Sequence, residues 1–300
     1  MTFQTRAIEL PPDLAERLAA IVGTTAFQAF ELVGVQSLNN RVLQLVCPGS
    51  GQAYAVRLAS ERAAAHMGVD RREEAAIAQA AGKAGIGPEL VHYDLDSGMM
   101  ISKWIDRAVP LQPQALQQRP IMLQAIALAR RLHAIGADAL AGKGRTIFER
   151  IAHMERSAAA LNAGELIQAR HRNRLDALAA AAPRPRWVTH NDLWPNNILA
   201  DGTRFWLTDW EFSGIGDGMY DLASLSLSAG LDATAEQDLL AAYGDGDLDW
   251  LAAMKWVVCY FEAVWSANMA LLSASAPAAG GQPFDFKAHS EQMLAKLDAG

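Results

Sequence analysis

The segment WVTHNDLWPNNILADGTRFWLTDWE, residues 187–211, constrains the fold of this chain more than any other. It holds two short apolar β-like runs around the turn dipeptide Asp201-Gly202, and polar residues concentrate within it. The rest of the second half is written in helix formers. Periodicity predicts helices over 114–135, 147–162, 165–182 and from about 235 onward. A small hairpin set into a helical body is therefore expected.

The first third has a different grammar. Prolines ahead of Leu14, Leu18 and Ile21, which follow helical spacing, predict an amphipathic helix that caps this part of the chain. Three β-like runs follow, over 29–35, 41–46 and 52–58, separated by the SLNN and PGSGQ segments, and read as an antiparallel meander. An Ala-rich helix over 70–84 closes at Gly85, and beyond Pro88 two more strand-like runs occupy 89–95 and 99–105. The composition shifts after Asp106. The expected class is α+β in two lobes, residues 1–105 around an antiparallel sheet and residues 106–300 mainly helical. The SASAPAAGGQP stretch at 273–283 reads as flexible.

Bulk properties narrow the functional classes. A chain of 300 residues with 51% hydrophobic content can bury a large core, and a net charge of -7 argues against nucleic acid or anionic lipid as a partner. Cys47 and Cys259 lie far apart and form no CxxC pair, as expected of buried thiols in a reducing, cytoplasmic setting. The opening MTFQTRAIELPPDLAERL has no basic n-region followed by an apolar stretch, so export is not expected. The apolar run from Met254 to Leu272 is interrupted by Lys255, Glu262, Ser266 and Asn268 and reads as a core helix instead of a membrane span. His66, His92, His153 and His171 show no ligand spacing with each other or with cysteine, so a structural zinc site is not expected, and His133 reads as a packing residue.

The chemistry concentrates in the 187–211 island. Asp192, Asn197 and Asp209 place two carboxylates and an amide on adjacent loops of one hairpin. Asp and Asn also satisfy turn backbones, but this trio matches what phosphoryl transfer requires. One carboxylate must accept or orient the proton of the attacking hydroxyl, and hard oxygen donors must hold Mg²⁺ against a polyphosphate. Asp192 fits the first task, Asn197 and Asp209 the second.

These residues also resemble a known pattern. His190-Asn191-Asp192, four further residues and Asn197, then Asp209-Trp210-Glu211, are similar to the HxDxxxxN and DxE motifs of the choline/ethanolamine kinase and aminoglycoside phosphotransferase superfamily, which has a protein-kinase-like bilobal fold. The wording HNDLWPNNIL looks more like the choline kinase branch. The resemblance implies ATP as phosphoryl donor, Mg²⁺ as cofactor and a small-molecule alcohol as acceptor. It implies that His190 belongs to the catalytic loop with an orienting role, and that Glu211 either meets a second Mg²⁺ or lies just outside the site. It makes Arg57 the cation for the nucleotide phosphates, with Glu74 as its helix partner and Glu73 as the alternative. Ser37 and Asn40 stand in the hairpin that covers the phosphates, with Gln36-Ser37 where relatives carry two glycines, and Trp104 and Ile105 form the hinge beside the purine.

For the acceptor, the resemblance implies Phe212 as an aromatic wall, together with Glu262 and Trp265, which share a helix face three residues apart. Ser228 stands where relatives place a substrate-facing Glu, and Glu262 is expected to supply the missing acidic group for a cationic amino alcohol. Two alternatives stay open: a kinase of thiamine, homoserine, a sugar or an aminoglycoside, and a nucleotide-binding protein that has lost catalysis. The motifs carry no information on oligomeric state.

Overall fold

The computed structural model describes residues 4–33, 40–140, 144–160, 169–273 and 284–299. Its first part is a six-stranded antiparallel sheet in the order β1-β2-β3-β4-β6-β5, formed by β1 (Gln4–Ile8), β2 (Gln28–Val33), β3 (Asn40–Cys47), β4 (Gln52–Ala59), β5 (Leu90–Tyr93) and β6 (Met100–Lys103). Five of these strands fall on the β-like runs of the sequence. The sixth, β1, has no strong strand signal of its own and is recruited by pairing along the whole of β2, from Gln4 opposite Val33 to Ile8 opposite Ala29. Alternation along β3 sends Leu43, Leu45 and Cys47 inward, and α1 (Pro12–Val22) covers them with Leu18.

Two helices lie between β4 and β5. The shorter, α2 (Glu61–Met67), was not foreseen; α3 (Arg71–Lys83) was. Asp70 caps α3 by accepting the backbone N–H groups of Arg72 and Glu73 at 3.0 and 3.2 Å. Ile77, Ala78 and Ala81 of α3 do not join the small core under the sheet. They pack into the larger core of the helical part, which α3 therefore shares.

That larger part comprises α4 (Arg119–His133), α5 (Ile147–Ala160), α6 (Ala169–Ala181), α7 (Met219–Ala229), α8 (Ala233–Tyr243), α9 (Leu248–Ser273) and α10 (Phe286–Ala299). The single helix expected over 114–135 is two elements, a 3₁₀ turn at Pro113–Gln117 followed by α4, because Pro120 sits at the start of α4 and can begin a helix but not continue one. The expected helix over 165–182 is described only from Ala169, and the 273–283 stretch lies almost wholly outside the described residues. Beyond its exposed first turn, the α9 helix is largely buried by α5, α7 and α10. Among the described residues no helix is long and apolar enough to cross a membrane, and both cysteines are buried free thiols.

The hairpin island sits where expected. Its strands β9 (Ile198–Ala200) and β10 (Phe205–Leu207) pair antiparallel, joined by a turn in which Gly202 has φ +95° and Asp201 accepts the N–H groups of Thr203 and Arg204. A third strand, β7 (Val109–Pro110), pairs with β9, while β8 (Trp187–Thr189) pairs with β11 (Gly214–Gly216). These two small sheets bracket the loops that carry the polar residues.

Candidate active site

The loop after β8 is built on one buried carboxylate. Asp221, in the first turn of α7 and fully buried, accepts the backbone N–H of His190 and that of Asn191, both at 2.8 Å, and a hydrogen bond from His133 Nε2 at 2.9 Å. His133 is therefore a satisfied structural residue, held on its other side by the Tyr243 hydroxyl. His190 is buried too. Its Nε2 donates to the Thr208 carbonyl at 3.0 Å and its ring lies 4.9 Å from that of Trp210, so it ties the loop to the segment after β10. Burial holds the His190 imidazole below its ordinary pKa. The ring and its bond to the Thr208 carbonyl hold the loop against the segment after β10.

Backbone strain marks the same place. Of the three non-glycine residues with positive φ among those described, two are Asn191 (φ +60°) and Asp209 (φ +66°). Asn and Asp tolerate the left-handed region best among non-glycine residues, yet it still carries a cost that surrounding bonds must offset. For Asn191 one such bond is from Nδ2 to the Phe212 carbonyl at 3.0 Å.

Asp192 is half-buried, and its Oδ2 accepts from Asn197 Nδ2 at 2.6 Å, with a second bond from that amide to the Asp192 carbonyl at 2.9 Å. Burial pushes the Asp192 carboxyl far above the usual carboxylate range, and the charges of Glu262, Asp209 and Glu211 push the same way against the Asn197 bond. Asp209 is pushed up to about 8, by burial and by Glu211, with the Arg57 guanidinium opposing. Its Oδ1 has no hydrogen-bond partner among the described residues. Glu211 accepts from Asn40 Nδ2 at 3.0 Å, which joins the segment after β10 to the first residue of β3.

Across the gap between the lobes, Arg57 on β4 is buried against Glu74 of α3, donates to the Gly98 carbonyl at 3.3 Å and lies 3.8 Å from Asp209. Burial works against the Arg57 charge, but Glu74, Asp209 and Glu211 outweigh it. Of the two expected partners, Glu74 is the one that meets Arg57; Glu73 turns the other way, toward Arg150. The Tyr93 hydroxyl also donates to Glu74, a partner the sequence did not suggest because a tyrosine on a strand usually reports only packing.

The remaining expected residues divide into three groups. Trp104 donates its backbone N–H to the Ala53 carbonyl at 3.0 Å, and the Ile105 carbonyl accepts from Ala108, so both lie at the junction between β6 and β7. Ser37 lies outside the described residues. Phe212 is buried edge-on to Phe261 at 5.3 Å between ring centroids, Trp265 packs against Phe286, and Glu262 lies 3.4 Å from His289 of α10. His289 went unnoticed in the sequence, since only the return of α10 along α9 brings it to Glu262. Ser228 spends its hydroxyl on the Leu225 carbonyl of its own helix.

Among the described residues no three His, Cys, Asp or Glu side chains form a preformed metal cage. A magnesium ion that shares its shell with nucleotide phosphates needs only one or two protein oxygens, so that absence is compatible with such an ion. Converging carboxylates, and an Asp209 Oδ1 that no hydrogen bond satisfies and that Arg57 meets only at 3.8 Å, fit a divalent ion held by Asp209 and the Asn197 amide oxygen.

The chain is 25% identical over 227 residues to the protein LicA of Haemophilus influenzae, a match that covers 71% of this chain and 62% of that relative, less than two thirds of its length. A choline/ethanolamine kinase family protein from Mesorhizobium loti superposes with a TM-score of 0.64 at 24% identity, over 96% of this chain and 93% of that one. The choline kinase LicA from Streptococcus pneumoniae superposes with a TM-score of 0.71 at 16% identity, over 96% and 98%. Both share the two-lobed arrangement of sheet and helices. The family model described as the phosphotransferase enzyme family matches residues 34–254, which contain every polar residue of the site from Asn40 to Glu211, and the chain belongs to that family.

Proposed function

We propose that this chain transfers the γ-phosphoryl group of ATP to the hydroxyl of a small cationic amino alcohol, with residues 1–105 and 106–300 as the nucleotide-binding and catalytic lobes. The observation that supports the acceptor class most directly is the position of Glu262. Glu262 is near enough for its charge to push the Asp192 carboxyl upward, and it is covered on one side by His289 at 3.4 Å. An acceptor that brings an ammonium to Glu262 presents its hydroxyl toward Asp192. The indole N–H of Trp265, buried without a hydrogen-bond partner among the described residues, lies one helical turn away.

In this reading Asp192 accepts the hydroxyl proton as the oxygen attacks phosphorus, and the Asn197 amide keeps the carboxylate aimed. Arg57, immobilised by Glu74, holds nucleotide phosphates, and Asn40 ties the start of β3 to Glu211. Asp209 and Asn197 would hold Mg²⁺, which when bound neutralises charge on the polyphosphate and relieves the carboxylates around it. The choline kinase names of the relatives lend this acceptor class weight. The alternative of another alcohol, such as an aminoglycoside, draws on Phe212: its ring packs into the core against Phe261, which weakens the case for an aromatic cage around a quaternary ammonium.

The test is Mg²⁺-dependent consumption of ATP and GTP by the purified protein against choline, ethanolamine, thiamine, homoserine and an aminoglycoside, with Asp209→Ala as control. Turnover is expected with an amino alcohol and is expected to vanish in the control. Nucleotide binding without turnover on any acceptor would support the degenerate binder. In the same assay Glu262→Ala is expected to raise KM for the cationic acceptor by about tenfold, the scale of one partly desolvated ion pair. An unchanged KM for every accepted cation removes Glu262 from the acceptor site.

A further inference from the structure

Neighbouring carboxylates at the start of α3 face opposite lobes. Glu74 meets Arg57 and Tyr93 of the sheet. Glu73, one position earlier and about 100° around the helix, is buried and turns to the helical lobe. Its Oε1 accepts the backbone N–H of Arg145 at 2.6 Å, and its Oε2 lies 3.5 Å from the Arg150 guanidinium on α5.

Arg150 is only 1% exposed and is the hub of this contact. It donates to the Ser213 carbonyl at 2.8 Å and to the Gly68 carbonyl at 3.2 Å. Gly68 precedes α3 in the chain. Ser213 ends the turn that follows Asp209, with its own N–H bonded to the Trp210 carbonyl. One guanidinium thus touches the helix that carries Glu74, the loop before that helix, and the segment just after Asp209. The chain is packed tightly here: the Arg145 carbonyl accepts the Ile215 N–H at 3.0 Å, and a Cβ at Gly214 would stand 2.1 Å from that carbonyl oxygen.

A buried ion pair is an expensive way to join two helices, since apolar residues of similar volume often stabilise as well or better. What a planar guanidinium adds is direction, because its donors hold several acceptors in one fixed arrangement. We propose that Glu73 and Arg150 form a clamp between the lobes, acting as positioning residues that keep the Arg57–Glu74 pair in register with Asp209. The 3.8 Å separation of Arg57 and Asp209 is the distance the clamp sets. This inference rests on the reading of Arg57 as the group that meets nucleotide phosphates.

The experiment is calorimetric titration of Mg–ATP, or Mg–GTP if that binds more tightly, into the full chain and its Arg57→Ala, Glu73→Gln and Arg57→Ala/Glu73→Gln variants, with steady-state kinetics on each. Glu73→Gln is expected to weaken nucleotide binding and lower kcat by about tenfold, within the range of such couplings, and to leave the acceptor KM as it was. In the Arg57→Ala background the same change is expected to cost no further nucleotide affinity, because its effect passes through Arg57. Full additivity in the double variant, or unaltered affinity and kcat in Glu73→Gln, overturns the clamp alone. Undiminished nucleotide affinity in Arg57→Ala overturns the reading of Arg57 and the clamp with it. If Glu73→Gln does not fold, Arg150→Lys keeps the charge but cannot reach Glu73, Gly68 and Ser213 together. Arg150→Lys is expected to reproduce the loss, and kinetics equal to the parent protein would overturn the proposal.

Discussion

Replacing Asp192 with Asn is expected to lower kcat by about 10³-fold, the middle of the range for a positioned general base, while nucleotide affinity changes little. The substitution keeps an oxygen that can accept from the Asn197 amide, so the loop geometry survives and the loss isolates the carboxylate's chemistry. Nucleotide affinity is expected to hold because the groups proposed to contact phosphate, Arg57, Asn197 and Asp209, are untouched. Single-turnover measurement with saturating nucleotide separates the two effects. A variant that turns over at close to the parent rate takes Asp192 out of the base role and leaves the site with positioning and charge stabilisation as its sources of catalysis.

The second large effect is expected at a residue that touches no reactant. Asp221→Asn places an amide donor against the backbone N–H groups of His190 and Asn191, or against His133, at a position with no access to water. Breaking a buried charged network by altering one partner costs about 3–5 kcal/mol, and at about 2–4 °C per kcal/mol for a chain of this class Tm should fall by roughly 10 °C. Activity should fall as well, since the two N–H groups hold the loop that ends in Asp192. The sign of the pH dependence follows from the direction of the Asp221 shift. Burial alone would raise its pKa, but the hydrogen bond and charge of His133, with His190, outweigh burial and hold it below 3.8. The stabilisation is therefore fully present above pH 3.8 and is lost as pH falls through the lower folded-state value. Parent and variant melting curves should differ near neutral pH and converge in acid; a constant difference across that range would mean that the network is not what Asp221 contributes.

Nothing local marks a carboxylate that accepts from a loop 30 residues away. The same holds for His289, which reaches Glu262 from 27 residues along the chain, and for Tyr93, whose hydroxyl meets Glu74.

What the sequence determined by itself was whatever short-range physics dictates. Alternating apolar residues wrote β3 and β4, the Asp70 cap and Ala-rich run wrote α3, the Asp201-Gly202 turn wrote the β9–β10 hairpin, and the spacing of Asp192, Asn197 and Asp209 put three oxygen-bearing side chains on its loops. The tertiary structure alone decided which of two adjacent glutamates meets Arg57, since residues 100° apart on a helix can be assigned to lobes only when both lobes are in place. It also decided that β1 joins the sheet and that Phe212 turns into the core against Phe261. Strand pairing and ring packing depend on partners distant in the chain, and a pattern with a period of two or 3.6 residues carries no record of them.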